Sequence, residues 1–244
     1  MANGIPRHDL DYSDHANFYE ACRPDVPEAG AKQGPAVYGA INIDPWGEKR
    51  IGDWIQTRTG RKFHLLDTRP EDFDIRDIAH ALSNVCRFTG HVSTFYSVGE
   101  HSVRVADLIA EWTCSKEVQY AGLMHDATEA YIADVSRPFK QLPEFKWYRD
   151  IEDRLMASLA PAMGVVYPLP WMVKTADEIL LGSEARDLMS PVVDGWHFRY
   201  SHIDHEIRPW SPKKAKRKFL HAYYRLNPFG HTNKHQLRLF GFAR

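Results

Sequence analysis

The chain has 244 residues, 43% of them hydrophobic, with 31 Lys and Arg against 32 Asp and Glu. That is enough apolar material for one large core, and a formal net charge of -1 makes no electrostatic case for a nucleic-acid polymer or a membrane surface as the main partner. No apolar run approaches the ~18 residues of a membrane span, and the polar start MANGIPRHDLDYSDH does not read as a signal peptide.

Residues 1–50 are rich in Pro, Gly and Asp and weak in periodicity, which predicts an irregular N-terminal arm. Its aromatic residues Tyr12, Phe18, Tyr19, Tyr38 and Trp46 are expected to pack on the domain or on a partner subunit. Residues 53–66, DWIQTRTGRKFHLL, read as a hairpin, with Gly60 free to take positive φ in the turn. Asp72 or Asp74 then caps a helix with Ile75, Ile78, Ala79, Leu82 and Cys86 along one face, which Gly90 ends. After His101, Val105, Leu108, Ile109 and Trp112 form the stripe of an amphipathic helix, and His101 points with that stripe into the core. A second helix carries Ala121, His125, Thr128 and Ile132, with Glu129 on the His125 face. Cys86 and Cys114 fall in helical patterns as buried thiols, and with Cys22 they show no disulfide or metal-ligand spacing, which suits a reducing cytoplasm.

Pro138 is expected to break any helix, placing Asp134, Arg137 and Lys140 on a loop. Tyr148, Ile151, Leu155 and Leu159 mark another helix, and Val173, Asp177, Leu180 and Glu184 share a face of the next. WHFRYSHI reads as an extended excursion. Ala215, Phe219, Ala222 and Leu226 mark the last helix, and the basic tail 227–244 reads as a frayed end or an oligomer contact.

The chemistry concentrates in His101, His125, Asp126 and Glu129. Asp126 lies about 100° round the helix from His125, so the two side chains converge on one point from neighbouring directions. Imidazole nitrogen and carboxylate oxygen suit Zn, Mn, Co or Fe, and carboxylates also admit Mg. A carboxylate on a core-facing position is costly unless a charge or a metal pairs with it. Asp177 raises the same question, with either a metal or a core Arg such as Arg186 as its answer. Arg87 and Phe88 together offer a guanidinium for phosphate and a ring for base or sugar, or else a surface Arg and a core Phe. His91 is read as lining the cleft or binding the backbone.

The segments GEHSVRVADL, LMHDATEAYIADVSRPFK and KTADEILLGSEARDL resemble the HD-domain phosphohydrolases. Within that superfamily they look most like the small 5'-deoxynucleotidases and the related phage-type deoxynucleotide hydrolases. The resemblance covers roughly residues 52 to 226. It implies a mainly α fold, an HD-domain helical bundle over residues 51–226 with a small β-hairpin, between the arm and the tail. It implies metal ligands at His101, His125, Asp126 and Asp177. It places Arg87 and Phe88 at the substrate, with Phe where Trp is usual, and it adds Asp134 and Lys140 as substrate contacts. Glu129 becomes the general base or acid. Four protein ligands ask for a five- or six-coordinate divalent ion, so Mn or Co is favoured over Zn or Mg. The implied reaction cleaves the 5'-phosphate ester of a 2'-deoxynucleotide, in a cytoplasmic homo-oligomer. The alternative is release of triphosphate from a dNTP such as dATP. An oxygenase of the same superfamily would need further His ligands, which the helices lack.

Overall fold

The computed structural model describes residues 41–43, 49–191 and 196–229, all within the unit Ala40–Arg244. The aromatic residues expected in the arm, Cys22 and most of the basic tail lie outside the described residues. The described chain is mainly helical, with two small antiparallel sheets.

β1 (Ile41–Ile43) pairs with β2 (Lys49–Ile51), in a stretch expected to be irregular. Three-residue strands carry too few alternations to be read from a sequence. β3 (Trp54–Gln56) and β4 (Lys62–His64) form the expected hairpin, with Gly60 at φ 87° in the turn. Its buried face is Phe63, which stacks on Tyr131 with ring centroids 3.7 Å apart. Its tip docks through Thr59, whose N–H and hydroxyl donate to Asp77 at 2.7 and 2.6 Å.

α1 (Ile75–Leu82) is capped by Asp74, which accepts from the Arg76 N–H at 2.9 Å. Asp72 instead holds the Arg50 guanidinium. The helix stops well before Gly90, and Cys86 leaves it to form a bridge with Ser97. The reason is crowding from the next helix. A Cβ on Gly99 would lie 3.1 Å from the Ser83 nitrogen, so the end of α1 and the start of α2 (Val98–Trp112) already touch through backbone. Ser97 caps α2, and His101, Val105, Leu108 and Ile109 are buried as their spacing predicts, whereas Trp112 is exposed.

α3 (Lys116–Met124) ends earlier than expected. A turn over residues 125–128 separates it from α4 (Glu129–Ile132), so His125 and Glu129 sit on different helical segments. Pro138 does not end a helix but opens one, α5 (Arg137–Gln141), because its missing N–H is unneeded in a first turn. Arg137 and Lys140 therefore lie on a short helix, and only Asp134 stays in the preceding loop. α6 (Lys146–Met163), α7 (Trp171–Leu188) and α8 (Pro212–Leu226) match the expected periodicities. Residues 196–203 contain no strand. Cys86 is half-buried and Cys114 exposed, so neither is the buried thiol expected.

α2 packs against α3, α7 and α8, and the core forms where Val105, Ile109, Leu123, Met124, Leu180 and Phe219 meet. No helix among the described residues is long and apolar enough to cross a membrane.

The α2–α3 contact sets the distance between His101 and His125, and Gly122 is what lets it close. A Cβ there would stand 2.5 Å from the Cδ1 of Ile109, a fully buried side chain, and 3.3 Å from a methyl of Val105. Gly122→Ala gains about 1 kcal/mol of helix propensity, but overpacking of a dense core costs about 1–3 kcal/mol. The expected result is a net loss of stability in denaturant unfolding. Adding Ile109→Val, which removes the clashing methyl, should recover part of it; a stabilised Gly122→Ala protein would show that the two helices are not in close contact.

Candidate metal centre

His101 lies in the first turns of α2, and His125 follows directly on α3. Each ring is held through Nδ1. In His125 that nitrogen is 2.8 Å from the Gly122 carbonyl, and in His101 it is 2.6 Å from Glu184 Oε1. A carbonyl and a carboxylate only accept, so both Nδ1 atoms carry the hydrogen and both lone pairs fall on Nε2.

The two Nε2 atoms face carboxylates. His125 Nε2 is 3.2 Å from Asp126 Oδ2, and His101 Nε2 is 3.1 Å from Asp177 Oδ1 and 3.8 Å from Asp126 Oδ2. Both nitrogens are buried and make no hydrogen bond. A lone pair aimed at a carboxylate oxygen is repulsive unless positive charge sits between them, and only a proton or a metal ion supplies that. His101, His125 and Asp126 offer ligand atoms that all lie within 4.8 Å of one another, so this group can hold a metal ion. Asp177 stands beside the group on the His101 side, its side chain 38% exposed. It is not paired with Arg186, which binds Asp187 and the carbonyls of Ile203 and His205.

The charge balance agrees. Burial and Arg87 press the His101 imidazolium toward losing its proton, but Glu184 and Asp177 outweigh them and push its pKa up to about 9. Burial would raise Asp126 and Asp177 too, yet the facing imidazoles and Arg87 hold both carboxyls below their usual range. Without an ion, His101 therefore keeps its second proton through neutral pH, and an incoming metal must displace it. Metal affinity should then rise about tenfold per pH unit from neutrality, levelling off near the His101 pKa of about 9. A chelator-competition titration with Mn at several pH values reads this directly. Affinity independent of pH over that range would remove His101 from the ligand set.

Glu184 was legible only as an acid on the Asp177 face of α7, with no role attached. It is fully buried, and besides His101 it accepts from Tyr96 Oη at 2.9 Å and from Arg87 Nε at 3.0 Å. A carboxylate on the far nitrogen of a ligating imidazole fixes its tautomer and orientation. Tyr96 carried no signal in the sequence beyond being aromatic.

Arg87 does not end a helix. It opens a tight turn, Arg87–Gly90, in which Phe88 (φ 56°) and Thr89 (φ 54°) both take left-handed backbone. Such conformations cost roughly 1–3 kcal/mol each outside glycine and persist where surrounding structure forces them. Here the Arg87 N–H donates to the Tyr96 carbonyl at 2.9 Å, and the His91 N–H donates to the Phe88 carbonyl at 2.9 Å. The result places the Arg87 guanidinium, 9% exposed, between Glu184 and Asp126, with its Nη1 3.6 Å from Asp126 Oδ2. Phe88 is half-buried, its ring centroid 5.4 Å from the guanidinium carbon.

Glu129 opens α4 and is 5% exposed. Its Oε1 lies 3.6 Å from Lys140 Nζ, and its Oε2 is buried with no hydrogen-bond partner. Burial, Asp126 and Asp134 drive its carboxyl well above the usual range, against Lys140 and Arg87. Asp134 is half-buried, and its own carboxyl is raised chiefly by burial. Lys140 is not a free cation; its ammonium is 2.8 Å from Glu152 Oε1 and lies over the Tyr148 ring. Arg137 is exposed.

No family model matches the chain. Over 136 residues it is 40% identical to the uncharacterized protein YfdR of Escherichia coli, covering 55% of this chain and 72% of that protein. Over 127 residues it is 36% identical to an uncharacterized protein of Rhodobacter capsulatus, covering 50% of this chain and 64% of that protein. The first of these matches runs through more than two thirds of its relative, and the chain belongs to the family of YfdR.

Proposed function

We propose that the protein is a metal-dependent phosphohydrolase that cleaves the 5'-phosphate ester of 2'-deoxynucleoside monophosphates. The observation that carries this reading is the pair of buried Nε2 lone pairs turned onto Asp126 and Asp177, beside a Glu129 whose Oε2 has no partner. The resemblance to the HD-domain deoxynucleotidases supports it independently.

His101, His125, Asp126 and Asp177 would hold one divalent ion, Mn or Co in preference to Zn or Mg. Such an ion supplies a water of lowered pKa and offsets charge on the phosphoryl group. Glu129 holds a proton at Oε2 and is set to deliver it to the departing sugar oxygen. Glu184 keeps the His101 ring in place, and Arg87 braces Glu184 and Asp126. Phe88 supports the deoxy preference, because a ring against C2' of the sugar would crowd a 2'-hydroxyl and leave it buried without a partner. Arg87 and Lys140 already face carboxylates, which leaves little spare positive charge for a triphosphate. In this reading the enzyme works in the cytoplasm as a homo-oligomer.

Incubation of the Mn- or Co-loaded protein with dAMP and with dATP tests the assignment. Inorganic phosphate and deoxyadenosine should form from dAMP, with dATP left intact and AMP cleaved more slowly than dAMP. Tripolyphosphate with deoxyadenosine from dATP would replace this reading with that of a triphosphohydrolase.

A further inference from the structure

α8 buries Ala215, Phe219, Ala222, Tyr223 and Leu226 against the core. The rest of its circumference is mostly basic, with Leu220 and Tyr224 among the uncharged residues on it. At about 100° per residue, Lys213, Lys214, Lys216, Arg217, Lys218, His221 and Arg225 fall on one continuous solvent-side arc, and the helix contains no acidic residue. Like charges at i,i+4, as in Lys213 with Arg217 and Lys214 with Lys218, repel one another. Cations in a first turn also oppose the helix dipole. The compensation comes from Asp107, which lies 3.7 Å from Arg225 and near enough to act on Lys218 and Arg104 as well, with Glu111 beside it. Among the described residues, none of the five cations from Lys213 to Lys218 has an ion-pair partner within 4.0 Å.

The patch continues beyond the helix. Lys218, Arg104 and Lys214 all lie over the Trp210 ring, at 4.7, 4.8 and 5.4 Å from its centroid. On the other side, Lys216 and Arg58 both lie near enough to act on His80, with Asp77 as the opposing charge. The net charge of -1 averages this asymmetry away and says nothing of where the charges stand.

We infer that the solvent face of α8, with Trp210 at its edge, binds the phosphate backbone of a nucleic acid; Arg104 beside it is already held by Glu100 at 2.7 Å. Its length of about 22 Å spans several phosphates. Cations on flexible stems along one helix neutralise a regular polyanion without reading bases. An anionic membrane fits less well. A helix that lies on a bilayer inserts its apolar face, and here that face is in the core.

Fluorescence anisotropy of the full chain with a short labelled duplex, the corresponding single strand, and vesicles of phosphatidylglycerol and phosphatidylcholine tests the inference. Binding to at least one oligonucleotide should weaken with salt, with a log–log slope of about -3 to -5 for five neutralised phosphates. Combining Lys214→Gln, Arg217→Gln and Lys218→Gln should weaken that binding more than about tenfold at low salt and lower the slope by about two to three, with the melting temperature no lower than that of the wild type, since like-charge repulsion is relieved. No binding to either oligonucleotide, a slope unaffected by the triple substitution, or binding to vesicles alone would overturn it. None of these outcomes depends on the metal centre.

Discussion

Replacing His125 or Asp126 with alanine should abolish binding of a divalent ion at this group and, with it, the proposed hydrolysis, while the fold survives. Both side chains point into the group whose ligand atoms lie within 4.8 Å of one another. Losing a residue that merely orients a ligand already costs about 10–100-fold in metal affinity, so losing a ligand should cost more than about 100-fold. The fold should tolerate the loss. His125→Ala removes one hydrogen bond, from Nδ1 to the Gly122 carbonyl, worth about 0.5–1.5 kcal/mol. Asp126→Ala removes a carboxylate that crowds Glu129, and Arg87 keeps its pairing with Glu184. Metal content and the melting temperature, with and without added Mn, separate the two effects, because an ion that binds only the native state raises the melting temperature. A variant with full metal content and full activity would end the assignment of this centre.

Glu129→Gln should leave the ion and the substrate bound and yet slow turnover by about 10²–10⁴-fold, the usual worth of a positioned acid or base. Glutamine keeps the shape and cannot give up a proton. Its site near Lys140, with Oε2 unpartnered, lies outside the tight ligand group. Because burial, Asp126 and Asp134 raise its carboxyl, the protonated form persists to higher pH than for an ordinary glutamate. Activity that needs this proton is complete below the raised pKa and declines as pH rises through it. The wild-type rate should therefore fall on the alkaline side, and Glu129→Gln should lack that limb. Loss of metal in this variant would make Glu129 a ligand or a scaffold residue. An unchanged rate would remove it from the chemistry.

Much of this architecture is local and was legible from the residues alone. The hairpin at Gly60, the stripe from Val105 to Ile109, the helix through Leu155 and Leu159, and the shared face of Asp177 and Leu180 all follow from spacing and capping. These are decided by neighbours a few residues apart. The His-Asp doublet and the isolated His101 were visible for the same reason. Local pattern misled where two helices met. The end of α1 is set by the backbone of α2 at Gly99, and nothing within α1 announces it. Pro138 was read as a breaker although its position suits a first turn.

The partners of each charged group belong to the tertiary structure. Glu184 meets Arg87, Tyr96 and His101 across 97, 88 and 83 residues of chain, and only the packing of α7 on α2 and on the turn after α1 brings them together. The sequence by itself determined that acids and imidazoles would lie on core-facing positions, because helical periodicity places them there. Which of them would end with a buried ring nitrogen and no hydrogen bond, as His101 and His125 do, was decided by tertiary packing. A buried polar atom is satisfied or orphaned by whatever distant segment lies against it.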